Sequence, residues 1–243
     1  MASCPSPGNS ALGSVPLNAA DCETRAVGAT DCLVIPPEPV VEAPGVLRAA
    51  MEALDAGDQA TARQLAAAVD RRALWGYWFR TGHEWTKRHR PAAHPPGVRR
   101  LDTPSSELTR TVFDRDGWRC RYCGLRVIDR RTLKLLSQAI PAAFPWRNRN
   151  GNSHPATVVL AATPDHVNPR SQGGGHEPEN LVTSCGTCQY QARGACTLEE
   201  LGLADPRDRQ PAVDDWNGLV ASVPTASFDP DQDRQHPAFE SRP

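Results

Sequence analysis

The sequence lacks any apolar run long enough to cross a membrane. No stretch of its 243 residues approaches the ~18 consecutive apolar residues of a spanning helix, and its first residues show no basic start followed by an apolar segment. These absences exclude the membrane-spanning and secreted classes, and we expect a cytoplasmic protein. Thiols stay reduced in that compartment, so closely spaced cysteines there favour metal binding over disulfides.

Aromatic residues are also few, whereas proline and glycine are frequent. The chain has 6% aromatic residues, 23 prolines and 18 glycines, so the part that can fold around a core is shortened. Composition predicts disorder over residues 1–44 and in an acidic tail, 222–243. Apolar residues at helical spacing predict a helical region over 45–90, and the proline-rich segment 91–104 reads as a linker.

Net charge is nearly absent, at −1, but the charges are segregated. Residues 110–149 hold ten basic and three acidic side chains, a surplus of seven, whereas residues 197–243 hold ten acidic side chains and four arginines. A basic segment of this kind is typical of proteins with a polyphosphate partner. A solvated charged surface is the alternative interpretation.

A basic, aromatic loop, Phe144–Arg149, lies at the end of this segment. It either stacks on nucleic-acid bases or packs Trp146 into a small core beside solvated arginines. The candidate nucleic-acid contacts are Arg147, Arg149 and Arg170.

Four cysteines form two Cys-x-x-Cys pairs with 61 residues between them. They are Cys120, Cys123, Cys185 and Cys188. Two such pairs, each on a tight turn, can complete a closed tetrahedral zinc site whose role is structural. A redox-active pair is the alternative.

An adjacent carboxylate and imidazole, Asp165 and His166, follow a short β-branched run. The run, Thr157–Thr163, predicts a strand that delivers the pair, and Leu181–Ser184 predicts the returning strand. A loop with three consecutive glycines separates them, and a helix is expected to begin near Gln189. The predicted unit is therefore strand, long loop, strand, helix.

The two side chains suit different chemical tasks. Asp165 offers a hard oxygen ligand of the kind that Mg²⁺ or Mn²⁺ prefers. Adjacent residues of a strand point to opposite faces, so His166 is expected to act separately from Asp165. Its imidazole titrates near neutral pH and can deprotonate a water molecule.

The order of these residues resembles the HNH endonucleases, the ββα-metal nuclease family. The family pattern is Asp-His, an apolar residue, x-Pro-x-Ser-x-Gly-Gly, then Asn-Leu, then Cys-x-x-Cys followed by Asn or His. The chain follows it over Asp165–Gly174, at Asn180 and Leu181, and over Cys185–Gln189. Upstream, Arg115–Gly124 supplies the Arg-Asp-Gly-x-x-Cys-x-x-Cys-Gly that the family also carries.

The resemblance covers residues 108–190 and implies the fold and the roles. It implies an α+β protein in which residues 105–221 form a small ββα-metal domain with a Cys₄ zinc site. By resemblance Asp165 binds a catalytic Mg²⁺ or Mn²⁺, His166 is the general base, and Asn180 braces the loop and orients the histidine. DNA is the implied substrate.

Gln189 departs from the family pattern, which has Asn or His at this position. A glutamine places its amide oxygen about 1.5 Å further from the backbone than an asparagine does. Ligand distances are meaningful to roughly 0.2 Å, so the helix or the ion must shift to restore contact. Two classes of function therefore stay open: a metal-dependent DNA endonuclease, and a catalytically impaired, zinc-stabilised nucleic-acid-binding module.

Overall fold

The computed structural model describes residues 34–88, 103–147, 152–193, 196–210, 212 and 214–220, with the backbone alone over 80–88. The predicted tail 222–243, most of segment 1–44, most of the predicted linker 91–104, and Arg149 lie outside the described residues. The architecture of the described part is α+β, as predicted. Among these residues, no helix is both long and apolar enough to span a membrane.

Three helices precede the predicted linker: α1 (Glu38–Asp55), α2 (Gln59–Ala68) and α3 (Arg71–Arg88). One face of α1 is buried, including Val40, Leu47 and Met51. Asp58 caps the start of α2, because its carboxylate accepts a hydrogen bond from the Thr61 backbone N–H at 3.0 Å. The helical region expected from the apolar spacing is therefore present.

The start of this region, expected at Gly45, is corrected by the structure, since α1 already begins at Glu38. Pro39 lies in the first turn, where a backbone N–H has no partner within the helix in any case. Pro44 removes one helical hydrogen bond, but it is itself buried with Val40 and Ala43. Prolines that suggested disorder are thus accommodated within a packed helix.

The described residues from 103 onwards form four further α-helices, two strands and a π-helix. They are α4 (Ser106–Arg115), α5 (Arg130–Ala139), α6 (Ala156–Val159), β1 (Ala162–His166), β2 (Leu181–Cys185), the π-helix (Thr187–Arg193) and α7 (Leu198–Leu201). Ser105 caps α4 by accepting from the Leu108 N–H at 3.1 Å, and Thr197 forms a capping box with Glu200 at α7. Short 3₁₀ turns occupy Arg170–Gln172 and Pro178–Asn180.

The strand expected over Thr157–Thr163 is wrong in its first half. Residues 156–159 form α6 instead, and β1 starts only at Ala162. The Thr157 hydroxyl donates to the His154 carbonyl at 2.7 Å, which closes a helical turn behind Pro155. Local side-chain bonding therefore outweighs the β-branched composition at this position.

The two strands pair antiparallel and set the register of the site. Asp165 is opposite Val182 and His166 is opposite Leu181. Every residue of β2 is buried, and the strand leads directly into the cysteine turn and the π-helix. The pairing thus places the Asp-His pair and the second cysteine pair at opposite ends of the sheet.

Buried polar contacts fasten this sheet to the surrounding helices. Asp116, at the end of α4, accepts from the Thr183 N–H at 2.7 Å, and Arg115 donates to the Leu181 carbonyl at 2.6 Å. Trp216 is buried and donates to the Val127 carbonyl at 2.9 Å, so the acidic C-terminal part docks on the body. The α3 helix packs along the π-helix, which joins the helical region to the site.

Candidate functional site

The four paired cysteines meet in one buried cluster. Their sulfur atoms all lie within 4.8 Å of one another, and Cys123 Sγ is 3.8 Å from Cys185 Sγ. This separation is far longer than a disulfide bond and close to the sulfur spacing of about 3.8 Å expected for tetrahedral Zn–S bonds of 2.3 Å. The donor set therefore fits zinc.

Backbone geometry and electrostatics prepare this cluster for a cation. The Gly124 N–H donates to the Cys120 carbonyl, and Gly124 has φ +77°, a left-handed conformation that glycine adopts without strain. Burial alone raises the pKa of the Cys120 thiol, but contacts with the other three sulfurs bring that pKa well below its usual value. In the same cluster the pKa values of the Cys185 and Cys188 thiols are raised well above their usual value, by burial and by the neighbouring sulfurs, so the four sulfurs gain and lose protons as one group.

The Asp165 carboxylate is buried and contacts three side chains, those of Tyr122, Arg193 and Gln189. Its Oδ2 accepts from the Tyr122 hydroxyl at 2.5 Å and pairs with Arg193 Nε at 2.6 Å. Burial raises the pKa of the Asp165 carboxyl, while Arg193, Tyr122 and the Gln189 side chain act in the opposite direction. The carboxylate is therefore held in place before any ligand arrives.

The Gln189 side chain contacts Asp165 and keeps one hydrogen-bond acceptor, its amide oxygen, unpaired among the described residues. Its side chain is hydrogen-bonded to the carboxylate, and its Oε1 atom is buried without a partner among the described residues. A buried amide oxygen without a donor or cation is unfavourable. The carboxylate and the unsatisfied amide oxygen are hard oxygen ligands of the kind that a divalent ion such as Mg²⁺ or Mn²⁺ prefers.

His166 is 8% exposed, and its Nε2 atom has no hydrogen-bond partner in the described part of the chain. Burial lowers its pKa to about 4, with further lowering from His176 and from the positive charges of Arg170 and Arg193. The imidazole is therefore neutral at pH 7 and able to accept a proton.

Asn180 braces the glycine-rich loop through its side-chain amide. Its Oδ1 accepts from the Asn168 N–H at 2.7 Å, and its Nδ2 donates to the Gly175 carbonyl at 2.9 Å. At Gly174 a Cβ atom would lie 1.9 Å from the Asn168 carbonyl oxygen, so only glycine fits there. The brace closes the loop two residues after His166.

Three residues at this site were not predicted. Arg193 is 1% exposed and also donates to the carbonyls of His166 and Val167, at 2.6 and 2.5 Å. Its spacing of four residues from Gln189, which puts both on one helix face, was the available signal. Tyr122 carried no such signal. The third residue is His176, whose ring centroid lies 5.2 Å from that of His166.

The arginine candidates are less closely tied to the site. Arg147 is exposed, and its backbone N–H donates to the Ser153 hydroxyl, which in turn donates to the Arg147 carbonyl. Arg170 begins the 3₁₀ turn that follows His166. Trp146 packs against the hydrophobic core, and Arg130 lies over its ring at 5.5 Å.

Comparison with known proteins locates one family. Residues 152–191 match the family described as HNH endonuclease. No curated protein and no solved structure matches the chain. The matched segment contains β1, the braced loop, β2 and the start of the π-helix. The part of the chain that carries Asp165, His166, Asn180 and the second cysteine pair is therefore related to the HNH endonucleases.

Proposed function

We propose that the protein is a metal-dependent endonuclease that hydrolyses phosphodiester bonds in DNA. The observation that carries the proposal is the unsatisfied Gln189 Oε1 beside the Asp165 carboxylate, with the neutral imidazole of His166 next in the same strand. A metal-binding oxygen pair adjacent to a neutral base is what phosphodiester hydrolysis requires.

Asp165 and Gln189 would hold the divalent ion, which stabilises charge on the scissile phosphate and on the leaving oxygen. His166 accepts a proton from the attacking water as the new oxygen–phosphorus bond forms. The bond from phosphorus to the 3′ oxygen then breaks, and the 3′ oxygen takes a proton from a second water molecule, which leaves a 5′ phosphate and a 3′ hydroxyl. Asn180 keeps the loop after His166 closed during these steps.

The zinc site belongs to the same proposal as a structural element. We assign Zn²⁺ to the four-cysteine cluster. We also assign a cytoplasmic location to the protein, because the five described cysteines form no disulfide with one another and reduced cysteines persist in a reducing compartment. We also propose that residues 105–221 form the nuclease domain and that the helical region is a separate element docked on it.

One observation favours a second function, a zinc-stabilised nucleic-acid-binding module without cleavage. Arg193 is fully buried and already neutralises Asp165 at 2.6 Å. A divalent ion at Asp165 competes with that guanidinium, and a displaced Arg193 would be a buried charge without a carboxylate to neutralise it. In this second reading the basic segment still binds nucleic acid.

Nicking of supercoiled plasmid, titrated with Mg²⁺ and Mn²⁺, distinguishes the two functions. We expect the wild-type protein to nick and Asp165→Ala to lose cleavage, because a metal-binding oxygen disappears. Gln189→Ala should reduce cleavage sharply for the same reason. If the glutamine oxygen already reaches the ion, Gln189→Asn should cut about as well as wild type. If the glutamine side chain is too long to place its oxygen on the ion, Gln189→Asn should cut better than wild type.

Tyr190→Phe is the matched control, because it alters a neighbouring, half-exposed residue of the π-helix without removing a proposed metal ligand. Absence of cleavage in the wild type and all variants, with DNA binding retained, would favour the binding module. Cleavage equal in wild type and Asp165→Ala would remove Asp165 from the mechanism.

DNA affinity should fall steeply as salt rises. Each phosphate that a basic side chain neutralises releases condensed counterions, so log K changes by about −0.9 per contact for every tenfold rise in salt on duplex DNA. Reversing the charge of Arg147 and Arg149 together should weaken binding to all sequences and reduce this slope. The measurement is fluorescence anisotropy with duplexes of unrelated sequence, and a salt-independent affinity contradicts the backbone contact.

A further inference from the structure

Helix α3 carries a large aromatic side chain that the core does not use. Phe79 is 64% exposed, whereas the two residues before it, Tyr77 and Trp78, are buried. Its ring stacks on that of Trp75, with the centroids 5.5 Å apart and the planes inclined by 24°. Trp75 itself packs against the hydrophobic core. The Phe79 ring is therefore supported from one side by a fixed neighbour, while most of its surface stays open to solvent.

The same side of α3 is basic. Arg72, Trp75 and Phe79 follow one another at intervals of three and four residues, which places them along one side of the helix. Arg71 and Arg72 are exposed in the first turn, which holds no acidic residue although the helix dipole favours one there. The whole helix has five basic residues and one acidic residue. Positive charge at the helix start is unfavourable for α3 itself, so it indicates a negatively charged partner.

The position of α3 relates this surface to the candidate site. The helix packs along the π-helix, which carries Gln189 and the half-exposed Tyr190. Within the described residues, the exposed large hydrophobic side chains are those of Ile35, Val41, Phe79 and Tyr190, so both aromatic ones belong to these two neighbouring helices. Exposed aromatic rings beside cations bind single-stranded nucleic acid, because bases stack on the rings and the cations pair with phosphates. Duplex bases already stack on one another, so the Phe79 ring suits an unpaired strand.

We propose that the face of α3 formed by Arg72, Trp75 and Phe79 binds single-stranded DNA. An unpaired base stacks on the open side of the Phe79 ring, which Trp75 supports from behind, and Arg72 pairs with a phosphate of the same strand. This face is separate from the proposed metal ligands and from the cysteine cluster. The inference rests on the proposed nucleic-acid partner but not on cleavage, and it gives the helical region a role in holding the strand.

Binding of the full-length protein to a labelled 20-nucleotide single strand, and to the duplex of the same sequence, tests this inference. Fluorescence anisotropy without added divalent metal measures affinity alone. We expect Phe79→Ala to weaken single-strand binding about 5-fold to 150-fold, the effect of losing one base–aromatic stack, with little change on the duplex. Phe79→Leu should be nearly as weak, because leucine is apolar but has no ring, whereas Phe79→Trp should bind like wild type. Arg72→Gln should reduce the slope of log K against log salt by about 0.7 on the single strand.

Val41→Ala is the control, because it truncates an exposed apolar residue on a different helix and should leave both affinities unchanged. Thermal unfolding of each variant should match wild type, since the altered side chains are exposed. Single-strand affinities of Phe79→Ala and Phe79→Leu equal to wild type would overturn the inference, as would an equal loss on single strand and duplex.

The proposed cleavage is measured separately by plasmid nicking. A wild-type protein that nicks plasmid but is indifferent to Phe79→Ala on single strands contradicts the inference alone. One that needs Phe79 for single-strand binding but never nicks supports the inference and contradicts the endonuclease. A wild-type dimer that Phe79→Ala converts into a monomer in sedimentation, at unchanged single-strand affinity, would assign the face to a second copy of the chain and overturn the inference.

Discussion

Replacing Cys120 or Cys185 with serine is expected to remove zinc and unfold the domain around β1 and β2. Both residues are almost fully buried in the four-sulfur cluster, and serine does not supply a thiolate there. Zinc binding contributes on the order of 10 kcal/mol in small zinc peptides, which is comparable to the whole stability of a typical domain, about 5–15 kcal/mol. Loss of one zinc ligand is therefore expected to remove most of the free energy of unfolding of the domain.

The measurements are zinc content by elemental analysis and unfolding followed by circular dichroism. Cys196→Ser is the matched control, because Cys196 is also buried but is not a member of the four-sulfur cluster. That variant should keep stoichiometric zinc and a cooperative transition. A wild-type protein that is folded and free of zinc would rule out the structural zinc.

Local chemistry explains which elements were predictable. Asp58, Ser105 and Thr197 each cap a helix, and such caps can be read from sequence because a cap needs only one side chain and the backbone two or three residues onward. The returning strand at Leu181 was predictable for a similar reason, since its apolar run is short, continuous and bounded by turns. The family resemblance added the pairing of the two cysteine turns.

Long-range contacts explain what was missed. Arg193 and Tyr122 reach Asp165 from segments 28 and 43 positions away in the chain, and the distances of 2.6 and 2.5 Å depend on how the π-helix and the first cysteine turn pack. No spacing rule contains that information. Thr157 was assigned to a strand from its composition, whereas its hydroxyl bonds to the His154 carbonyl and favours a helical turn.

The helical region shows the same difference between local sequence pattern, which is predictable, and long-range packing, which is not. Its three helices follow from apolar periodicity, but nothing in that periodicity indicates that α3 lies against the second cysteine turn. Trp78 packs there as a core residue, whereas the next residue, Phe79, is 64% exposed. The position of α3 relative to the site is therefore known only from the structure.

His166→Ala is expected to abolish cleavage while leaving zinc and DNA binding intact. General-base catalysis contributes typically 10²-fold to 10⁴-fold, so the rate should fall by about that factor. The imidazole follows Asp165 in β1 and is the proposed base, with a pKa of about 4 and an unpartnered Nε2. Single-turnover nicking at saturating metal measures the proton-transfer step without interference from product release.

Two controls separate loss of the base from loss of structure. Zinc content and duplex affinity of His166→Ala should equal those of the wild type, because the cysteine cluster and the proposed arginine contacts are untouched. Added imidazole should restore part of the cleavage, since alanine leaves a cavity where the ring stood and free imidazole is a neutral base at pH 7. Asp165→Ala should gain nothing from imidazole, because its defect is in holding the metal. Undiminished cleavage by His166→Ala would exclude His166 as the base, and with it the proposed mechanism.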